Sequence, residues 1–234
     1  SGRNGPSIFP VTSLGLRVQA RLADRTTLRL AVLDGVPGNP DHPKRTAIRL
    51  GHGDGALLAS ELEQHLGKWR LIAGYWRYTA PHEDLLRSAQ AGGPVLRKGA
   101  QGAYLRGEGL VQGDPEGRGI DAFFRLGWAD QRFHEVERFA AAGLRWRGPV
   151  IRRPHDEASI GIAASTSGSH ARAATSLNGE QIAKRDWAFE ATYLLAFTPW
   201  LSLQPDLQYF INPAYERGRK AVMGGLRVNI GWEF

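Results

Sequence analysis

The chain has 234 residues, 30 Lys plus Arg against 23 Asp plus Glu, a formal charge of +7 and a hydrophobic fraction of 42%. That apolar content excludes wholesale disorder. The absence of cysteine excludes a disulfide scaffold, a zinc–thiolate site, an iron–sulfur cluster and a thiol nucleophile. No apolar run approaches the roughly 18 residues that a membrane-spanning helix needs. The basic residues are scattered through apolar runs and form no block, which argues against a nucleic-acid partner. No signal peptide and no initiator Met precede Ser1, so the sequence reads as a processed chain or a fragment.

Alternation with period two runs along the chain. Leu14, Leu16, Val18, Ala20 and Leu22 alternate with Gly15, Arg17, Gln19 and Arg21, and Leu28, Leu30 and Val32 alternate with Arg29. Leu58, Leu62 and Leu66 oppose Glu61, Glu63 and His65. Residues 68–78 form a strand of ambiguous parity, because Trp69 and Trp76 fall on opposite faces. Leu105 and Val111 oppose Tyr104, Arg106 and Glu108. Ala122, Phe124, Leu126 and Trp128 oppose Asp121, Phe123, Arg125 and Gly127. Leu144 and Trp146 oppose Arg145 and Arg147, and Ile160, Ile162 and Ala164 oppose Ser159, Gly161 and Ser165. Trp187, Phe189, Ala191, Tyr193, Leu195 and Phe197 alternate with Ala188, Glu190, Thr192 and Leu194. Leu201, Leu203, Leu207, Tyr209 and Ile211 then alternate with Ser202, Gln204, Asp206, Gln208 and Phe210. The last strand sets Val222, Gly224, Leu226, Val228, Ile230, Trp232 and Phe234 against Met223, Gly225, Arg227, Asn229, Gly231 and Glu233. Successive side chains of a strand point to opposite faces, so each segment has one apolar and one polar face.

This gives about eleven strands of bilayer-crossing length. Short connections surround Asp24, Gly67, Pro115 and Pro199. Long ones cover 34–54, 79–99, 167–186 and 212–219. Outer-membrane barrels alternate tight periplasmic turns and longer outside loops in this way. Two connections fit less well: 129–134 is a short outside loop and 148–156 a long inside one. One or two helical turns are expected within Glu83–Gln90, and no other helix.

A soluble antiparallel sandwich would show the same periodicity, so two further features decide. The seven Trp residues fall at or near strand ends, as the aromatic girdles of a membrane barrel require. The polar face carries mid-strand charge at Arg17, Arg29, Glu61, Glu108, Arg125, Glu190, Asp206 and Arg227, which suits a water-filled lumen. The fold expected is an all-β transmembrane antiparallel β-barrel, one domain over residues 1–234.

The terminal Phe234, with apolar residues at alternate positions before it, resembles the signal read by the barrel assembly machinery of the outer membrane. Several stretches resemble the OprB-type carbohydrate-selective porins: Asn4–Pro10, Ala31–Gly35, Asp121–Trp128, Trp200–Tyr209, Asn212-Pro213 and Gly225–Arg227. Leu203-Gln204-Pro205-Asp206-Leu207-Gln208-Tyr209 is the most specific of them. The resemblance implies a sugar-permeable channel of sixteen strands in the outer membrane of a Gram-negative bacterium. Single-chain bacterial barrels have an even strand number. About five amino-terminal strands are therefore expected beyond the eleven here, missing by truncation or supplied by another chain.

A porin needs a pore and a lining, with no catalytic residue. Charged and amide side chains can replace water's hydrogen bonds to a sugar, and aromatic rings can stack on a pyranose. The expected inner-face set is Arg17, Gln19, Arg21, Arg29, Tyr104, Arg106, Glu108, Phe123, Arg125, Gln204, Asp206, Gln208 and Arg227. The expected partners are carbohydrate solutes, outer-membrane lipid and the assembly machinery, with a homo-oligomer among the compatible assemblies. No cofactor or metal is expected. Arg17, Arg21, Arg29 and Arg125 also permit a different reading, a basic ladder for phosphate or acidic sugars. An enzymatic or adhesive barrel ranks lower. Gly51-His52-Gly53-Asp54 lacks a second ligand cluster, Glu61 and Glu63 read as lumen charges paired with arginines, and no nucleophile elbow or phosphate loop is present.

Overall fold

In the computed structural model, residues 14–36, 53, 55–150 and 152–231 are described. Chain order runs β1 Gly15–Ala23, β2 Thr26–Asp34, β3 Ala56–Leu66, β4 Trp69–Tyr78, the short β5 His82–Glu83, α1 Leu85–Ala91 and the short β6 Leu96–Arg97. It continues with β7 Gln101–Gly113, β8 Gly119–Ala129, β9 Val136–Arg147, β10 Glu157–Ser167, α2 Ser169–Leu177, β11 Arg185–Thr198, β12 Leu201–Ile211, a 3₁₀ turn at Pro213–Tyr215 and β13 Lys220–Ile230.

Eleven strands form one sheet in the order β1-β2-β3-β4-β7-β8-β9-β10-β11-β12-β13, and β5 and β6 pair separately. Each pair of neighbours is antiparallel. This is the strand succession read from the sequence. Among the described residues, β1 and β13 are the two edges and do not pair with each other.

Cross-strand partners share a face, so the register sorts every side chain. One face carries Val18 opposite Leu30, Leu105 opposite Leu126, and Ala142 and Phe189 flanking Ile162. Leu16, Leu30, Leu62, Leu126, Leu144, Ile160, Leu207 and Leu226 on this face are all exposed. A soluble protein rarely leaves so continuous an apolar surface uncovered, and no helix among the described residues is long and apolar enough to cross a membrane. Strands crossing lipid, with this face outward, account for both facts.

Turn chemistry sets the alternation of connections. Gly67 takes the left-handed conformation (φ 60°) that a two-residue hairpin needs. The 114–118 turn is held by Arg147, whose guanidinium donates to the carbonyls of Asp114 (2.8 Å), Pro115 (2.9 Å) and Gly117 (2.6 Å). In the long 148–156 connection, the buried Asp156 accepts from Arg153 (2.5 Å), the Tyr193 hydroxyl (2.9 Å) and the Ala196 amide (3.0 Å). Burial opposes its charge, but these donors hold its carboxyl below the usual range.

Loops at the opposite end fold onto the inner face. Leu57, Tyr78, Ala100 and Phe133 form a small buried core, with Leu33 and Trp76 packed against it. The helix expected within 83–90 is α1, capped by Asp84 and closed by Gly92 in the left-handed conformation. Helix α2 was not expected. Its start is fixed by Gln131, which accepts from the Ser169 amide (3.0 Å) and hydroxyl (2.6 Å). Trp76 corrects the girdle reading: it lies on the inner face, edge-on to Tyr78 and His134 at 5.9 and 5.2 Å. Trp69, Trp128, Trp146 and Trp187 do lie outward near strand ends, and Trp200 sits in the short turn after β11. Trp232 and Phe234 fall outside the described residues, as do residues 1–13 and, except for Gly53, the 51–54 segment.

Candidate channel lining

The register places all thirteen expected lining residues on the inner face, from Arg17, Gln19 and Arg21 on β1 to Arg227 on β13. Their environments fall into two groups.

On β1 to β7 the polar side chains bind one another. Arg29 Nη1 lies 2.8 Å from Glu63 and 3.9 Å from Glu61, and its Nε donates to Gln19 Oε1 at 3.1 Å. Arg17 donates to the same oxygen at 3.0 Å. Glu61 also faces Arg106 at 3.7 Å and accepts from the Tyr104 hydroxyl at 2.5 Å. His65 contacts Glu63 at 3.0 Å, and Arg70 pairs with Glu108. Among the described residues Arg21 pairs only with Asp24, at 3.5 Å in an exposed turn. The network exists because Gly74 lets the Tyr104 ring lie on the wall; a Cβ there would stand 2.5 Å from Tyr104 Cε1. Glu61 and Glu63, read from the sequence as charges paired with arginines, are so paired.

On β8 to β13 the pattern changes. Asp121 binds Arg145 and Arg147, both at 2.9 Å, and Gln208 donates to Asp206 at 3.0 Å. Arg125 has no hydrogen bond or ion pair among the described residues; its guanidinium sits over the Phe123 ring, 5.6 Å from the centroid. Glu190, Gln204 and Arg227 likewise lack a polar side-chain partner among the described residues. Three hollows open along this wall. One of about 910 Å³ is bordered by Arg70, Glu108, Asp121, Phe123, Arg145 and Glu190. A second, of about 310 Å³, lies against Phe123, Arg125, Phe139, Glu190, Gln208 and Phe210. The third, of about 290 Å³, is lined by Glu190, Thr192, Gln204, Asp206 and Arg227.

Glu190, Phe139 and Phe210 share this face with the expected set. Parity already gave the inner orientation of Glu190 and Phe210. Phe139 opens the run Phe139-Ala140-Ala141-Ala142, where alternation carries no contrast.

The folded-in loops border the other end of the inner face. Asp130 and Arg132 form a close pair (2.6 Å), and α1's Asp84, fully buried, lies 3.5 Å from Arg97 and 3.7 Å from His170. Burial pushes the His134 imidazole down to about 4. No group of three or more potential metal ligands occurs among the described residues.

Residues 1–232 match the model of the carbohydrate-selective porin, OprB family. The chain is 24% identical to Porin B of Pseudomonas aeruginosa, over 94% of this chain and 55% of that protein. Its fold superimposes on the high-pH structure of Pseudomonas putida OprB with a TM-score of 0.80 at 20% identity, covering 95% of this chain and 59% of that one. The low-pH structure of the same protein gives 0.58 at 16% identity, covering 92% and 54%. The chain therefore spans a little over half the length of these relatives. Porins of this kind are outer-membrane barrels of Gram-negative bacteria, which matches the outward apolar face and the polar inner one. The chain belongs to the OprB family of carbohydrate-selective porins.

Proposed function

We propose that this protein lets carbohydrates, mono- or oligosaccharides, diffuse passively through a water-filled lumen of the outer membrane. The observation that carries this reading is the uncommitted part of the inner wall. Arg125, Glu190, Gln204 and Arg227 offer donors and acceptors of both signs, and exposed aromatic rings stand beside Arg125 and Glu190. A neutral, hydroxyl-rich solute can exchange water's hydrogen bonds for theirs. Binding must stay weak enough for release, which exposed single contacts favour over a closed cage. No step needs a nucleophile, a metal or a cofactor.

We also propose that the described sheet is part of a single closed barrel. Its edges β1 and β13 run in the same direction, since they are the first and last of eleven antiparallel strands. Antiparallel closure then takes an odd number of further strands, and lipid does not tolerate open edges. About five would complete the sixteen-stranded barrel that the family resemblance implies. The assembly machinery is the proposed reader of Phe234, and a homo-oligomer is compatible with this arrangement.

An anion channel is the second reading, favoured by Arg17, Arg21, Arg125 and Arg227 on the same face. Single-channel current across a planar bilayer separates the two, using intact protein purified from outer membranes. Saturable block by glucose with little effect of phosphate supports the sugar channel. Block by phosphate alone overturns it in favour of anions.

A further inference from the structure

The register lays three rows of inner-face side chains across the second half of the sheet. The first runs Phe123, Gly143, Gly161, Glu190, Gln208 and Met223. The next runs Arg125, Ala141, Ala163, Ala188, Phe210 and Ala221. Beside it, Gly127 faces Phe139 and Phe139 faces Ser165. The rows thus form a trough floored by Ala141, Gly143, Gly161, Ala163 and Ala188, with Glu190 set in it beside Gln208. Phe123 and Arg125 stand at one rim, Gln208 and Phe210 at the other, and Phe139 closes one end.

We propose that this trough is a pyranose-stacking subsite of the channel; the proposal rests on the sugar-channel reading. Phe123 and Phe139 remain 38% and 40% exposed in the hollow, an apolar surface set inside a wet lumen. The Phe123 ring is laid along the wall by Gly143, where a Cβ would stand 2.5 Å from Phe123 Cε1. A solute that fits must cover the rings with an apolar face and satisfy Arg125, Glu190 and Gln208 at its edge. A pyranose has both: axial C–H groups above and below the ring and hydroxyls around it. Arg125 donates to hydroxyl oxygens, Glu190 accepts from hydroxyls, and Gln208 can do either. The volume of about 310 Å³ is at the small end for ligand pockets and suits one or two such rings. A purely apolar solute would leave Arg125 and Glu190 desolvated without partners, and an anion would meet Glu190.

The trough also supplies its own control. At Gly161, a Cβ would meet only Ala142 O, at 3.8 Å, so a larger side chain can enter the hollow without displacing backbone.

The test compares D-glucose with sorbitol, an open-chain polyol with no ring face, as blockers of single-channel current in the full-length protein. Glucose block in the wild type is expected to exceed sorbitol block. Phe139→Ala, Phe210→Ala and Gly161→Leu are each expected to weaken glucose block by about three- to tenfold while changing sorbitol block less than twofold. Glu190→Gln is expected to weaken glucose block without loss of folded protein. Far-UV circular dichroism and unblocked conductance identify any variant that misfolds, and Gly161→Leu carries the argument if an aromatic variant does. Glucose block unchanged in folded Gly161→Leu and Glu190→Gln overturns the subsite while the sugar channel stands. Absence of glucose block in the wild type overturns the channel reading and the subsite with it.

Discussion

Ile162 lies at the middle of β10, on the outward face, between Ala142 and Phe189. It is 39% exposed. On a soluble sheet, Arg at such a position would be wet, and the cost would stay within about 0.5 kcal/mol. In a bilayer the same guanidinium sits at mid-depth, five residues from either end of an eleven-residue strand. Arg at the midplane of an outer-membrane barrel costs about 2–4 kcal/mol, against about 0–1 near the interfaces. Ile162→Arg should therefore lower the folded-to-unfolded ratio by roughly 30- to 1,000-fold. Ser159→Arg, on the inner face of the same strand, should cost less than about 1 kcal/mol. The assay is urea-dependent folding of the full-length protein into phospholipid vesicles, followed by tryptophan fluorescence. Equal costs at the two positions, or a cost below about 1 kcal/mol at Ile162, would refute the assignment of faces.

Three further outcomes follow from the lining and the loops. Glu63→Gln removes the carboxylate 2.8 Å from Arg29, so the reversal potential in a salt gradient should shift toward anions; an unchanged potential would mean that Arg29 is remote from the permeation path. Gly74→Val puts side-chain atoms where the Tyr104 ring lies, breaking the Tyr104–Glu61 hydrogen bond; the expected cost is about 1–3 kcal/mol, read by the same urea titration, and no change would contradict the packing. His134 is packed neutral: burial chiefly disfavours its proton, with His82 nearby a lesser contribution of the same sign, while Asp130 partly offsets them. Opening restores an ordinary imidazole, so the opened loops bind more protons than the packed ones between pH about 6.5 and about 4. Packing of the 130–135 and α2 segments should weaken as pH falls through that window, seen as faster amide exchange of α2; exchange independent of pH after correction for intrinsic rates would contradict it.

The sheet was legible because a strand states its faces locally. Arg17, Arg29, Arg125 and Arg227 needed only their own neighbours to be placed inward, and Gly67 alone marked a turn. What escaped depends on distant partners. Helix α2, with its bland Ser, Ala and Thr composition, is held by Gln131, which is 38 residues from Ser169. Trp76 looked like a girdle residue because it lies near a strand end. Only the pairing of Ala59 with Trp76 and the core built by Tyr78 and Phe133 assign it inward. The residues of the polar face could be enumerated from parity but not divided. Whether Arg106 is committed to Glu61, or Arg125 left to a solute, depends on which side chain stands opposite across two or three strands. The trough is likewise a property of register: Gly143, Gly161 and Ala163 are unremarkable until they are aligned.

These 234 residues contain no cysteine, so single cysteines give a direct test of the central claim once any cysteine elsewhere in the full-length protein is replaced by serine. Single cysteines at Phe123, Leu126, Ile162 and Gln208 of the full-length protein, in intact outer membranes, can be titrated with a charged, membrane-impermeant thiol reagent. Cysteines replacing Phe123 and Gln208 should react and reduce channel current, with the reaction slowed by glucose. Cysteines replacing Leu126 and Ile162 should stay unmodified. Reaction at Leu126 and Ile162 with none at Gln208 would contradict the orientation of the sheet, and reaction at Gln208 indifferent to any sugar would contradict a lumen through which sugars pass.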